Sequence, residues 1–483
     1  MGIKINNKEF FKLSFLYTAA AALPPILNLF VRPLIEGGGK LGPSDFSQIE
    51  ISETIITLSF IIATFAMSNA ISRFYYDHAG NKKDYSKLVS GIFNSILLRG
   101  LILFIVAYLF KDHIGKIFSQ PALQDFSSYG FTAISVGIFR AINITAFALY
   151  RNEKKVRLYL LLAFCLGFLR SGFQLAGVLF YDMSFIGYIN GSAIGAGIVA
   201  VIILLIVFSK TGFHYNLKIL RPANKFALPI FEYSFILWGI NFADRYFLES
   251  SPDILGIYSQ ALLLGRGIEI IIQGTQGATQ PEIYRLMKDG IEKNLDEIKK
   301  LSHLFIAQSQ LLIALAIIPA MLYCYIFKTD LRLASGLVAI IFIKYIFRTQ
   351  FMIFAWPVYF MKKTNYFLLL NVVVLAINIS MLYFLVPIWK EYGAIASILV
   401  SQLIQVTGIY FIQKRLVTIP WNLNKLLKFP FAIITIACIL EIIKVQLDIN
   451  PFLTASIVVF AIGASLLWLY QNEIKNIVKK LRV

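Results

Sequence analysis

The stretch "INFADRYFLESSPDILGIYSQA", residues 240–261, ends one long apolar run and begins another. Between the two runs stand the adjacent charges Asp244 and Arg245 and a turn-prone Ser250-Ser251-Pro252-Asp253. Apolar run, short polar turn, apolar run is the pattern of helices that cross a bilayer and the turns that join them. About 20 predominantly apolar residues let a helix cross. Runs of this kind recur from residue 11 to residue 471. The chain of 483 residues is 58% hydrophobic, with a mean hydropathy of +0.72. Soluble domains stay near about 45–50% apolar. The runs are continuous rather than alternating, so strands are excluded as the spanning unit. The expected fold class is an all-α polytopic membrane protein.

Fourteen crossings are expected, at about 13–33, 48–71, 88–110, 128–150, 158–181, 185–208, 224–248, 255–281, 303–327, 333–359, 364–387, 393–413, 428–447 and 452–471. The first run follows Lys4, Lys8 and Lys12, as a cleaved leader would, but continues through Pro24-Pro25 to Arg32. That is too long for a leader core, so it reads as a first crossing kinked at the prolines. With the N-terminus cytoplasmic, the inner segments carry thirty Lys and Arg and the outer segments nine, while six fall within the crossings. This asymmetry supports fourteen crossings with both termini cytoplasmic. Clusters such as Lys210/Lys218/Arg221/Lys225 and Lys475/Lys479/Lys480/Arg482 then follow topology and anionic headgroups. The net charge of +19 needs no nucleic-acid partner.

The chain carries a duplication. "IFRAINITAFALYRNEKKVRLYLLLAF", 138–164, aligns without gaps on "IFRTQFMIFAWPVYFMKKTNYFLLLNV", 346–372. Arg140 falls on Arg348, and Lys154-Lys155 on Lys362-Lys363. "GPSDFSQIE", 42–50, is similar to "SPDILGIYS", 251–259, at nearly the same offset. Crossing 1 thus corresponds to crossing 7, and crossing 4 to crossing 10. Six crossings per repeat is an even number, so the repeats insert the same way up, as parallel repeats do in some transporters. The expected organisation is a six-helix lobe over 1–209, a second over 210–416, and crossings 13 and 14 with a cytoplasmic tail over 417–483.

A charge at the bilayer centre costs at least ~2.5–3.5 kcal/mol on insertion scales, yet the crossings hold Arg99, Arg140, Arg170, Arg266, Lys344 and Arg348. The acids set against them are fewer: Glu53, Glu232, Asp244, Glu269 and Glu441. Arg266 and Glu269 share a helix face and can neutralise one another. Lys344 and Arg348 are like charges four apart, which calls for an anion or carboxylate nearby. Arg99 can snorkel toward an interface. Each remaining Arg is either an ion pair between packed helices or part of an electropositive cavity. The surplus of cations favours a cavity for an anion, and pyrophosphate suits the two parallel donors of Arg. Cys165, Cys324 and Cys438 lie singly in apolar runs, and four scattered histidines complete an inventory that makes neither a disulfide frame nor a metal site.

The run "ALPIFEYSFILWGINFADRYFLESSPDILGIYSQA", 227–261, resembles the crossing-7 signature of Wzx-type bacterial polysaccharide (O-antigen or capsule repeat-unit) flippases. These belong to the multidrug/oligosaccharidyl-lipid/polysaccharide (MOP) exporter superfamily. Leu228-Pro229, Asp244-Arg245-Tyr246-Phe247-Leu248 and Gly256-Ile257-Tyr258 carry the likeness. "LGPSDFSQ" (41–48), with Ser47 where the family usually has Gly, "AISRFYYD" (70–77) and "INISMLYFLVPIWKEYGAIAS" (377–397) are similar to further family stretches. The resemblance runs from about 11 to 415. It implies two parallel six-helix (MATE-like) lobes around a central cavity, in the bacterial cytoplasmic (inner) membrane. It implies transport of undecaprenyl-pyrophosphate-linked oligosaccharide to the outer leaflet by alternating access. The partners it implies are that lipid-linked oligosaccharide, membrane lipids, a polysaccharide polymerase and a chain-length regulator.

On this basis Arg32, Glu53, Asp244, Arg245, Arg266 and Glu269 are expected in the cavity, followed by Arg140, Lys344 and Arg348. Asp244-Arg245 is expected either to close an outer gate, to hold phosphate, or to fix the turn at a helix end. No cofactor and no metal is expected. Proton or sodium coupling stays open, with Glu53, Glu232, Asp244 and Glu269 as carriers. The alternatives are a multidrug exporter or a lipid II flippase of the same superfamily and, less favoured, a polytopic polymerase. No Walker motif is present, and the longest outer loop, about 34–47, offers mobility rather than catalytic groups.

Overall fold

A computed structural model describes residues 7–36, 41–78, 81–182 and 184–471. Gly37–Lys40 of the outer loop and the basic tail from Lys475 lie outside the described residues. Among the described residues every regular element is helical. The helices are α1 (Asn7–Glu36), α2 (Pro43–Thr64), α3 (Met67–His78), α4 (Lys82–Gly115), α5 (Pro121–Gln124), α6 (Phe126–Asn152), α7 (Val156–Ala176) and α8 (Phe185–Thr211). They continue with α9 (Leu217–Leu248), α10 (Pro252–Lys288), α11 (Leu295–Cys324), α12 (Ser335–Phe360), α13 (Asn365–Leu416), α14 (Phe429–Leu447) and α15 (Pro451–Leu469). Among the described residues, twelve helical stretches are long and apolar enough to cross a membrane. One of them, α13, is two helices joined at a kink where Lys390 takes φ 48°, which separates the expected crossings 11 and 12. Over the first expected crossing, α1 runs unbroken through Pro24, Pro25 and Pro33.

One break is not legible in the sequence. Crossing 2 is interrupted at Phe65 and Ala66, whose φ angles are 47° and 54°, so α2 ends and α3 begins within one expected crossing. The break leaves the last α2 carbonyls without helical donors, and Arg99 of α4 supplies them. Its Nη1 donates to the Ala63 carbonyl at 3.1 Å and to that of Thr64 at 3.5 Å. Arg99 therefore reaches into the protein rather than snorkelling outward.

The chain forms two compact units, Met1–Gly256 and Ile257–Val483. In the first, α6 is the central helix and packs on α2, α3, α4 and α8. Glycines set these distances. A Cβ at Gly137 of α6 would sit 2.6 Å from the Ile56 carbonyl oxygen of α2. A Cβ at Gly191 of α8 would sit 2.0 Å from the Phe173 carbonyl oxygen of α7. Small residues let helix backbones approach where lipid provides no hydrophobic drive. The same reason fits Gly256, whose Cβ would lie 1.9 Å from the Pro43 carbonyl oxygen. Helix α9, assigned by the duplication to the second repeat, packs on α2, α3 and α4 of this unit. In the second unit α12 is the central helix, packed on α11, α13 and α14. The helices that correspond across the duplication, α6 and α12, thus occupy the same role in their own units.

Candidate functional site

Among the described residues, three groups of charges within the spans bring together the residues expected in the cavity. The first is buried and joins α1, α2 and α9. Glu50, about two turns into α2, accepts from Arg32 Nη2 at 2.9 Å, and the two side chains are 1% and 3% exposed. The other oxygen of Glu50 lies 3.9 Å from Arg245 Nε. Arg245 Nη1 also donates to Asp244 Oδ1 at 2.7 Å and to the Asn241 carbonyl. Arg32 stacks on Phe46 and Arg245 on Phe242, with guanidinium-to-ring distances of 5.3 and 4.8 Å. Around this knot, Thr54 and Tyr246 share a hydrogen bond of 2.7 Å, and Trp238 Nε1 donates to the Thr54 carbonyl at 3.1 Å. Glu249, just past the end of α9, accepts from the backbone N–H groups of Ser119 and Gln120, both at 2.8 Å. The Asp-Arg pair is thus the α9 half of a latch on α2.

The second group is half-open. Glu53 lies three residues after Glu50 on α2. One carboxylate oxygen accepts from Arg140 Nη1 of α6 at 3.1 Å, and the other lies 3.6 Å from Arg170 Nη2 of α7. The side chains of Arg140, Arg170 and Glu53 are 37%, 24% and 20% exposed. Two guanidinium groups face one carboxylate, so the group keeps a net positive charge. Arg170 Nε is buried with no acceptor among the described residues.

The third group lies in the second unit. Arg348 Nε of α12 is 3.8 Å from Glu269 Oε1 of α10, and each side chain is 33% exposed. Gln273 donates to the same carboxylate oxygen at 3.4 Å. Lys344 stands one turn from Arg348 with its Nζ 5.2 Å from the Tyr345 ring centre. Arg266 is half-buried on α10. The sequence sets Glu269 beside Arg266; the structure also brings it Arg348, the carboxylate that the like-charged Lys344 and Arg348 called for.

Arg140 and Arg348 correspond across the duplication, and each meets a glutamate of the second crossing of its own repeat. The pairs Arg140–Glu53 and Arg348–Glu269 therefore recur, one in each unit. Sequence reasoning ranks Arg140 and Arg348 behind Arg32 and Arg245. The structure gives the opposite order of exposure: Arg32 and Arg245 are sealed against acids, and the repeat-related arginines are half-open. Glu50, Glu249 and the pairing of Arg170 were missed. Glu50 had a signal, its three-residue spacing from Glu53, which puts two acids on adjoining faces of one helix. Glu441, counted among the intramembrane acids, pairs with Lys444 on α14, and Lys444 also donates to the Gly336 carbonyl. Lys444 is thereby buried.

No protein-family model matches the chain, and no curated protein sequence matches it. Solved structures do. The lipid II flippase MurJ in an inward closed conformation aligns with a TM-score of 0.67 and 14% identity, over 95% of this chain and 100% of that one. A MATE-family multidrug transporter in an inward-facing conformation aligns with a TM-score of 0.62 and 12% identity, over 83% and 97%. A MOP-superfamily transporter from Pyrococcus furiosus, described by a reversed polarity of its binding pocket, aligns with a TM-score of 0.56 and 14% identity, over 84% and 94%. The chain has the all-helical, multi-pass fold of the MOP-superfamily transporters.

Proposed function

We propose that this chain is a flippase that moves polyprenyl-pyrophosphate-linked oligosaccharide repeat units across the bacterial cytoplasmic membrane, from the inner to the outer leaflet. The observation that carries the reading is the half-open group of Arg140 and Arg170 around Glu53. Its excess positive charge and orphaned Arg170 Nε suit a phosphate oxyanion, to which guanidinium donates in parallel. Arg348 and Glu269 repeat the arrangement in the second unit. Arg32, Glu50, Asp244 and Arg245 act as the latch between α2 and α9, because their charges are internally matched and closed to a ligand in this conformation. Arg266 and Lys344 add positive charge on the helices that bear Glu269 and Arg348. Glu53 and Glu269 are the carboxylates available to couple transport to a proton or sodium ion.

A second reading, lipid II as cargo, is favoured by the MurJ alignment, which extends over 95% of this chain. One experiment separates the two. The gene is deleted in a host that makes a surface glycan, and the lipid-linked intermediates are extracted. Accumulated undecaprenyl-pyrophosphate repeat units with normal lipid II support the proposal; accumulated lipid II supports the second reading. Normal levels of both refute the two together.

A further inference from the structure

A cavity of about 540 Å³ opens in the first unit and is lined by none of the residues of the Glu50 and Glu53 groups. Phe65, at the α2–α3 break, and Arg99 of α4 form part of its wall, with Tyr215, Arg221, Asn224 and Lys225 from the start of α9. The partners of Arg99 are neutral. It donates to the Ala63 and Thr64 carbonyls and to Asn224 Oδ1 at 3.3 Å, and it lies 4.8 Å from the centre of the Phe65 ring. No ion pair with a carboxylate is formed by Arg99, Arg221 or Lys225 among the described residues. The cavity therefore gathers three cations whose charge the protein leaves uncancelled.

Its depth is fixed by neighbouring bonds. Ser90 of α4 donates to the Gly212 and His214 carbonyls, at 2.8 and 3.2 Å. This sets Ser90 level with the loop before α9, where the chain meets water. Arg99 is nine residues further along α4, about 13 Å at ~1.5 Å per residue. Arg221 and Lys225 are exposed at the mouth, while Arg99 sits inward. The flanks are apolar and open: Leu98, Leu101 and Leu228 are exposed, a surface chemically suited to lipid tails. Cations inside, acyl-compatible surface outside, and a mouth at the membrane–water boundary match an anionic amphiphile better than a soluble ion.

We propose that this cavity binds the phosphate of a membrane-lipid headgroup, with Arg221 and Lys225 receiving it and Arg99 holding its inner side. Because Arg99 also closes the ends of α2, an occupied site would tie a lipid to the α2–α3 break. The proposal is independent of which lipid-linked glycan is carried.

Native mass spectrometry of the detergent-purified full chain tests it, with phosphatidylglycerol as probe and diacylglycerol of the same acyl chains as control. The wild type is expected to retain phosphatidylglycerol and not diacylglycerol. The double variant Arg221→Gln/Lys225→Gln changes two exposed side chains, so it should fold, and should lower the apparent affinity for phosphatidylglycerol roughly thirtyfold, the scale of two headgroup-facing cations. Arg99→Gln should lower it further. Unchanged occupancy in the double variant overturns the proposal, as does equal retention of diacylglycerol. If millimolar inorganic phosphate displaces the lipid completely, the site is one for soluble phosphate, and the lipid assignment is likewise overturned.

Discussion

Substituting Glu50→Gln tests the buried latch most directly. Glu50 is 1% exposed and stands between two guanidinium groups, Arg32 at 2.9 Å and Arg245 at 3.9 Å. The amide keeps the shape and one acceptor oxygen but removes the negative charge. Arg245 retains Asp244 at 2.7 Å, and Arg32 loses the negative charge at the far end of its 2.9 Å bond to Glu50. Removing one partner of a buried pair typically costs about 3–5 kcal/mol. The surviving Asp244 contact places this case near the lower end, about 3 kcal/mol. At ~2–4 °C per kcal/mol for a unit of this size, the melting temperature in detergent should fall by roughly 6–12 °C. The readout is tryptophan fluorescence or a thiol-reactive dye during heating, alongside the double variant Arg32→Gln/Glu50→Gln. The double variant should be less destabilised than the sum of the two singles by at least ~1 kcal/mol, because the residues share one interaction. A Glu50→Gln protein that melts within about 1 °C of the wild type refutes the reasoning. It would mean that neither arginine depends on this carboxylate.

Arg140→Gln, in the half-open group, should lower flipping in reconstituted vesicles by about tenfold or more with little change in melting temperature, as loss of a charge-assisted phosphate contact does; Arg348→Gln should act the same way in the second unit, and unimpaired flipping in both variants counts against a phosphate role. Glu249→Ala orphans the buried Gln120 N–H and leaves that of the exposed Ser119 to water, and should destabilise by about 1–3 kcal/mol for the one buried donor, read as a drop in melting temperature that Glu249→Gln partly reverses. Gly191→Leu drives a side chain into the Phe173 carbonyl of α7 and should abolish a folded monomer by size-exclusion chromatography, while Gly191→Ala lowers yield less. Lys390→Gly should not show the ~1 kcal/mol loss of an ordinary helical glycine substitution, because φ 48° at the kink already favours glycine; a clear loss of stability there would contradict the kink.

Much of the architecture was written in local pattern. Uninterrupted apolar runs of bilayer length, Pro at the starts of α2 and α10, and basic clusters in the segments between runs together determine a polytopic helical bundle. Hydrophobicity and insertion act on each segment by itself. The duplication likewise showed in Arg140 and Arg348 and in the paired lysines that follow them. What the sequence left open was partnership. Arg32, Arg140 and Arg245 carry the same charge in similar apolar settings, and nothing local says which is sealed and which half-open. That depended on helix packing. The approach of α2 to α9 buries Arg245 against Glu50, and the approach of α6 and α7 to α2 gives Glu53 two arginines. The break at Phe65–Ala66 is a tertiary choice too, since neither residue favours a left-handed conformation and the freed carbonyls are met by Arg99, which lies on another helix. Segment polarity could be read residue by residue, whereas ion pairing needed side chains from different helices, 18 positions apart for Arg32 and Glu50 and 87 for Arg140 and Glu53, to be brought to within 4 Å by the folded chain.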